Sequence, residues 1–182
     1  MQHIQSVTEP TGKAHELLAG VEKAMGGVPN IFKVFANSPA ALEGFLNFSG
    51  ALGTGRLDTQ LREKIALATA GLNGCDYCAS AHTVIGSGAG LTENEITSAI
   101  KGQSPDTKTQ AALTFAAQLV EKRGQVSSED ITSVKAAGFS DEETVEILAN
   151  VALNIFTNYL NEAFQTEIDF PVVNTKDAQQ AA

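Results

Sequence analysis

Residues 61–82 read LREKIALATAGLNGCDYCASAH and include two cysteines three positions apart, Cys75 and Cys78. The first twelve residues of this stretch carry apolar side chains every three or four positions, which is the pattern of an amphipathic helix. An Asn-Gly pair then ends that helix, because glycine favours the left-handed backbone found at helix ends. The stretch therefore predicts two consecutive helices, with the cysteine pair at the start of the second.

Helix start signals recur along the rest of the chain, whereas alternating strand patterns do not. They are Ser-Pro pairs, which suit the N-cap and first helical position, and capping boxes. They occur at Ser38-Pro39, Ser104-Pro105, Thr92 with Glu95, and Ser140 with Glu143. We predict an all-α fold of about seven or eight helices, at roughly 11–25, 39–52, 58–72, 75–88, 92–101, 105–123, 128–137 and 140–167.

No change in composition marks a linker, so residues 1–182 are predicted to form a single domain. Its core is expected at about residues 28–172. The remaining tail, 173–182, is polar and rich in small residues, which predicts disorder.

Charge and composition exclude several classes of function. The net charge is −9 and no cluster of Lys or Arg exists, which argues against nucleic-acid binding. The longest apolar runs fall far short of a membrane span, and the first residues lack the basic and apolar regions of a secretory signal. We therefore expect a cytoplasmic protein without membrane contact. Thiols in that compartment are kept reduced, which favours a working dithiol or a metal site over a structural disulfide.

The chemistry of the second helix start centres on the two thiols. Cys75 lies where unpaired backbone N–H groups and the helix dipole favour thiolate. Cys78 is three residues further on, so the two sulfurs can meet and form a disulfide. His82 follows by another four residues and is placed to accept the thiol proton. If the two helices form an antiparallel hairpin, Glu63 on the first approaches the same place, either to orient His82 or to relay a proton.

Other interpretations of the same residues exist. Zinc prefers four ligands, and Cys75, Cys78, His82 and Glu63 are four candidates, although no second cysteine pair is present. Covalent haem attachment needs a histidine directly after the second cysteine, where Ala79 stands. Two buried cysteines without a role are the remaining alternative. We expect neither a metal nor a cofactor.

The spacing of these residues resembles a known family signature. Glu63, eleven residues, Cys75-Asp76-Tyr77-Cys78, three residues and His82 is similar to the motif of the alkyl hydroperoxidase D-like group, in the carboxymuconolactone decarboxylase-like superfamily. Residues 154–159, leading into 166–171, resemble the C-terminal helix of its peroxidase-related branch. The resemblance covers roughly residues 28–172.

This resemblance implies an all-α homo-oligomer, a trimer or hexamer, that reduces hydroperoxides. Cys78 would attack the peroxide, Cys75 would form the disulfide with it, and Glu63 and His82 would relay protons. One position departs from the family pattern, since well-known members carry histidine just before the second cysteine and this chain has Tyr77. The departure bears on the relay and on the size or polarity of the substrate.

The sequence thus predicts a thiol-dependent peroxidase for organic or hydrogen peroxide. A lipoyl or thioredoxin-like protein would reopen the disulfide. The alternatives are a thiol–disulfide exchange protein and a metal-binding or assembly protein that uses the same residues. A group of phenylalanines at helical spacing predicts core or subunit interface, or alternatively an apolar pocket: Phe32, Phe35, Phe45 and Phe48.

Overall fold

The computed structural model describes residues 1–180, which contain ten helices and no strand. The helices are α1 (Gly12–Met25), α2 (Asn30–Phe35), α3 (Pro39–Leu52), α4 (Thr59–Asn73), α5 (Asp76–Gly88), α6 (Glu93–Ile100), α7 (Thr107–Glu121), α8 (Ser128–Ala136), α9 (Asp141–Phe164) and α10 (Thr175–Gln180). None of the helices within this described part is long and apolar enough to cross a membrane.

The predicted all-α class and the position of the cysteine pair at a helix start are confirmed. The Ser38 cap with Pro39 and both predicted capping boxes are present. One start signal was wrong, because Asp106 and not Ser104 caps α7. Two short helices, α2 and α10, were not predicted, since six residues are too few to show a helical repeat.

Helix α4 lies at the centre of the fold, with α5, α6, α7 and α9 packed around it. Its residues from Ile65 to Gly71 are all buried, as expected for a helix that is covered on every side. A side chain at Gly71 would collide with the carbonyl oxygen of Ile100, so glycine permits the close approach of α6. This central packing fixes where α4 ends and therefore where the cysteines stand.

The C-terminal segment was predicted to be disordered, and this is wrong for residues 173–180. The Val173 N–H donates to Ser80 Oγ at 2.9 Å, and the Thr175 hydroxyl and N–H both donate to Asp76 Oδ1. The Gln179 amide donates to the carbonyl of Gly71 at 2.7 Å. Polar side chains that looked solvated in the sequence are therefore held by α4 and α5. Residues 181 and 182 lie outside the described part.

Candidate active site

The junction between α4 and α5 places the first cysteine. Gly74 ends α4 with a φ of +68°, a left-handed conformation that glycine adopts without strain. Cys75 follows as the N-cap of α5, and its sulfur accepts the N–H of Cys78 at 3.4 Å. Both cysteines are free thiols and both are buried, Cys75 completely and Cys78 with 3% of its surface exposed.

The sulfur of Cys78 accepts a hydrogen bond from a residue far along the chain. The Asn161 side-chain amide, on α9, donates to the Cys78 sulfur at 3.2 Å. Asn158, one turn earlier on α9, also lowers the pKa of this thiol, although its nitrogen has no hydrogen-bond partner in the described residues. Sequence reasoning missed both asparagines. The only signal available was their spacing on one face of a helix, which is equally typical of core positions.

The two thiols differ in acidity. The pKa of Cys78 is lowered to about 7, chiefly by the hydrogen bond from the Cys75 thiol, and further by His82 and the two asparagines, although burial opposes this. The pKa of Cys75 is raised well above its ordinary value, because Cys75 donates that hydrogen bond and is desolvated. Cys78 is therefore the thiol that ionises first, and thiolate is the nucleophilic form.

His82 and Glu63 face each other across the α4–α5 hairpin. Their Nδ1 and Oε2 atoms lie 2.7 Å apart, and the side chains are only 21% and 13% exposed. Burial alone lowers the pKa of His82, but the Glu63 carboxylate and the Cys78 sulfur raise it overall. The expected approach of Glu63 to His82 is thus present, and the pair is able to hold a proton next to Cys78.

An apolar cavity of about 550 Å³ opens onto this group of residues. Cys78, His82 and Glu63 line it, whereas Cys75 does not. Its other walls come mainly from α1, α2 and α3, including Leu17, Val21, Phe32, Phe45 and Leu46. Of the four phenylalanines considered in the sequence, Phe32 and Phe45 line the cavity, Phe35 is buried core and Phe48 is 41% exposed.

Tyr77, which departs from the family motif, has a structural role here. Its hydroxyl donates to Asp169 Oδ1 at 2.8 Å and accepts the N–H of Ile31 at 3.0 Å. Its ring packs edge-on against Phe170, and burial raises its pKa above the ordinary value. The hydroxyl is therefore engaged away from the sulfurs, and it ties α2 and the segment after α9 to α5.

The alternative of a metal site finds no matching geometry. Within residues 1–180, no group of three or more His, Cys, Asp or Glu side chains is arranged to hold a metal ion. Glu63 and His82 form a hydrogen bond with each other. The Cys75 thiol donates a hydrogen bond to the Cys78 sulfur, and each sulfur also accepts one from a backbone or side-chain N–H.

These features define an all-helical protein with a buried dithiol, a histidine–carboxylate pair and a substrate-sized apolar cavity. Residues 39–122 match the carboxymuconolactone decarboxylase family, and this range contains Glu63, Cys75, Cys78 and His82. Over this range the chain is similar to that family, and its overall fold is that of alkylhydroperoxidase D-like proteins. No curated protein matches the sequence.

Solved structures extend the similarity of the fold to nearly the whole chain. An uncharacterized peroxidase-related protein from Silicibacter sp. TM1040 has a TM-score of 0.82 at 20% identity, covering 91% of both chains. The alkylhydroperoxidase AhpD core protein from Ralstonia eutropha JMP134, also uncharacterized and peroxidase-related, has a TM-score of 0.82 at 23% identity, covering 91% of this chain and 90% of that one. A cysteine-to-alanine variant of the debrominase Bmp8, in complex with 2,3,4-tribromopyrrole, has a TM-score of 0.75 at 21% identity, covering 98% and 97%.

Proposed function

We propose that this protein is a thiol-dependent peroxidase that reduces organic hydroperoxides through a Cys75/Cys78 dithiol–disulfide cycle. The observation that carries the proposal is the placement of Cys78, the more acidic thiol, on an apolar cavity beside the His82–Glu63 pair. Such a cavity suits a substrate with an apolar body, because burial of that body favours binding. Hydrogen peroxide lacks such a body, so we expect it to be the poorer substrate.

In the proposed reaction, the Cys78 thiolate attacks the terminal oxygen of the hydroperoxide. A sulfur–oxygen bond forms, the oxygen–oxygen bond breaks, and the leaving alkoxide takes a proton from His82 to become the alcohol. Cys78 is then a sulfenic acid. The Cys75 sulfur displaces its oxygen, which leaves as water with the Cys75 proton, and the disulfide closes. His82 regains its proton when the next dithiol ionises, with Glu63 holding the ring in place.

A dithiol reductant must then reopen the disulfide. Both sulfurs are buried, so the reductant has to reach them through the cavity. A slender arm such as lipoamide fits this requirement better than a globular protein that carries its cysteines on its own surface. We therefore propose a lipoyl-type donor ahead of a thioredoxin-like one. The same burial weighs against a general thiol–disulfide exchange protein, whose sulfurs must meet those of a protein partner.

A second candidate function is reductive dehalogenation. The cavity presents the rings of Phe32 and Phe45, which suit a flat aromatic body, and the similar debrominase was solved with a brominated pyrrole. In that reaction Cys78 would take the bromine, the ring carbon would take a proton, and Cys75 would displace bromide as the disulfide forms. Bromide release from tribromopyrrole in the presence of a dithiol tests it directly.

We further propose that the protein is a homo-oligomer. The outer face of α9 exposes several large apolar side chains, and some of them border an apolar depression of about 330 Å³. They are Val145, Leu148, Phe156 and Tyr159. Exposed apolar faces of this kind are typical of subunit interfaces.

The test of the proposed activity is steady-state turnover of cumene hydroperoxide, tert-butyl hydroperoxide and hydrogen peroxide, with dihydrolipoamide or thioredoxin as reductant. We expect kcat/KM to increase with the apolar size of the peroxide. Ala24→Phe, which narrows the cavity from α1, should raise KM for cumene hydroperoxide by about tenfold, the effect of an apolar contact on binding. Ala40→Phe, at an exposed position outside the cavity, is the matched control. Failure to consume any of the three peroxides would refute the proposal.

A further inference from the structure

Four buried asparagines lie along helix α9, and they use their side chains in two ways. Asn150 donates to the carbonyl of Glu146, and Asn154 donates to the carbonyl of Asn150, each at 2.8 Å. These two amides are satisfied within their own helix. Asn158 and Asn161, which are also buried, make no such bond and direct their amides toward other parts of the molecule.

The amide of Asn161 meets the sulfur of Cys78 from behind the cavity. Its nitrogen lies 3.2 Å from the sulfur, and Asn161 is not among the residues that line the cavity. His82, in contrast, lies on the cavity side. The sulfur therefore has a donor on its buried side and an open approach on the other, where a substrate arrives.

The amide of Asn158 is held in a fixed orientation by the helix before the cysteines. Asn73, the last residue of α4, donates to Asn158 Oδ1 at 2.9 Å. While its oxygen is engaged there, the nitrogen of Asn158 is buried and without a hydrogen-bond partner in the described residues, and Asn158 lowers the pKa of Cys78. An unpaired buried amide is unfavourable unless it interacts with charge.

A thiolate provides that charge, whereas a neutral thiol is a weak acceptor. We propose that Asn158 and Asn161 form an amide pair that stabilises the thiolate of Cys78 from its buried side, and that Asn73 is a positioning residue for Asn158. This role rests on the proposed function in that Cys78 is the reacting sulfur, but the thiolate exists without any substrate. In the described residues neither amide bonds to Cys75, so the pair favours Cys78 over Cys75 as the nucleophile, in addition to the hydrogen bond from the Cys75 thiol.

The amide pair has a consequence for the redox equilibrium. A disulfide carries no charge, so the stabilisation that the amides give to the thiolate disappears when Cys78 is oxidised. Stabilising the reduced form makes a disulfide a stronger oxidant. Asn158 and Asn161 therefore make the Cys75–Cys78 disulfide easier to reduce, which favours its return to the dithiol after each turnover.

The experiment titrates the thiolate absorbance near 240 nm in the reduced protein, without substrate. Asn161→Leu, which matches the shape of asparagine, should raise the midpoint for Cys78 and leave roughly tenfold less thiolate, the effect of losing one charge-assisted hydrogen bond. Asn158→Leu should give a smaller shift in the same direction. Asn73→Ala should also shift the midpoint, but it should have no further effect when it is combined with Asn158→Leu, because Asn73 acts by positioning Asn158. Asn150→Leu, on the same helix with its amide bonded internally, is the matched control.

Equilibration of each variant with glutathione gives a second measurement. The disulfides of Asn158→Leu and Asn161→Leu should be harder to reduce than that of the wild type. If Asn161→Leu does not fold, Asn161→Ala and the Asn158 variant decide the question. Wild-type midpoints and potentials in folded Asn158 and Asn161 variants would overturn the inference. If the shifts appear but the wild type consumes no peroxide, the inference stands and the proposed function fails.

Discussion

Nδ1 of His82 lies 2.7 Å from Oε2 of Glu63, and this bond joins α5 to α4 just beyond the cysteine pair. Because an ionised carboxylate only accepts hydrogen bonds, Nδ1 must carry the proton. The other ring nitrogen, Nε2, is then the one able to exchange a proton with the sulfur or the substrate. Replacing His82 therefore removes the group that exchanges the proton, whereas replacing Glu63 changes the pKa of that group.

Removing the imidazole should leave a folded protein with very slow peroxide turnover. We expect His82→Ala to lose about 10²–10⁴-fold in rate near neutral pH, the usual contribution of a general acid–base group. Part of the rate should return at alkaline pH, where Cys78 ionises unaided. The measurement is the pH–rate profile of peroxide turnover, with the exposed His15→Ala as control. A profile equal to that of the wild type would make His82 a packing residue only.

Neutralising the carboxylate should change the protonation of His82 more than the fold. The attraction of Glu63 raises the pKa of His82, so Glu63→Gln should lower it. The ion pair between protonated His82 and Glu63 stabilises the folded protein. This contribution is fully present below the pKa of histidine in the unfolded chain, about 6.5. It is lost as pH rises through the pKa of His82 in the folded protein. NMR titration of the His82 ring measures the shift, and Glu121→Gln, at an exposed site, should leave it unchanged. An unaltered His82 midpoint in Glu63→Gln would contradict the assigned cause.

Removing the first sulfur should make the second less acidic. The largest cause that lowers the pKa of Cys78 is the hydrogen bond from Cys75, so Cys75→Ala should raise it above about 7. Below its pKa Cys78 is a protonated thiol, so the variant should be alkylated more slowly near neutral pH and equally fast at high pH. Peroxide should oxidise this variant to a sulfenic acid that a dimedone probe traps.

In the wild type, peroxide should remove two thiols and leave an intramolecular Cys75–Cys78 disulfide, visible by mass spectrometry. Cys78→Ser should show neither reaction at any pH. Crosslinks between chains in place of the intramolecular disulfide would argue against the cycle.

Removing the hydroxyl of Tyr77, the residue that departs from the family motif, should lower the stability of the protein without changing its turnover. Tyr77→Phe leaves the Ile31 N–H without its buried acceptor and Oδ1 of Asp169 without its donor, which costs about 1–3 kcal/mol in the free energy of unfolding. Turnover at temperatures where the variant is folded should not change, because this hydroxyl does not bond to the sulfurs. A large loss of turnover in folded Tyr77→Phe would assign the hydroxyl to the proton relay.

The outer face of α9 should hold the oligomer together. Light scattering should give a mass of at least three chains of 19.0 kDa each. Leu148→Glu with Tyr159→Glu should reduce the mass, since two charges in an apolar interface are strongly unfavourable. Val172→Glu changes a side chain that is 70% exposed and lies outside α9, and it should leave the mass unchanged. A wild-type protein that stays monomeric at micromolar concentration would refute the assembly.

Short-range signals in the sequence determined the helices and the core of the site. A capping box such as Thr92 with Glu95 acts over three residues, so its outcome does not depend on the rest of the chain. The glycine that ends α4 and the cysteine that caps α5 are equally local. The pairing of Glu63 with His82 followed from one further assumption, that the two consecutive helices pack antiparallel. Where two cap residues stood close together, as at Ser104 and Asp106, the local signal was ambiguous and the prediction failed.

Tertiary structure alone decided what surrounds the sulfurs. Asn161 meets Cys78 across 83 positions of sequence, and Tyr77 meets Asp169 across 92. The cavity joins α1, α2 and α3 to α5, and its volume depends on how closely those helices pack. Residues 173–180 looked unstructured because their partners, Asp76 and Ser80, lie on another helix. The sequence by itself specified where the helices and the cysteine pair lie, because these depend on neighbouring residues. The acidity of Cys78 and the shape of its cavity depend on contacts between distant ones, which exist only once the chain has folded.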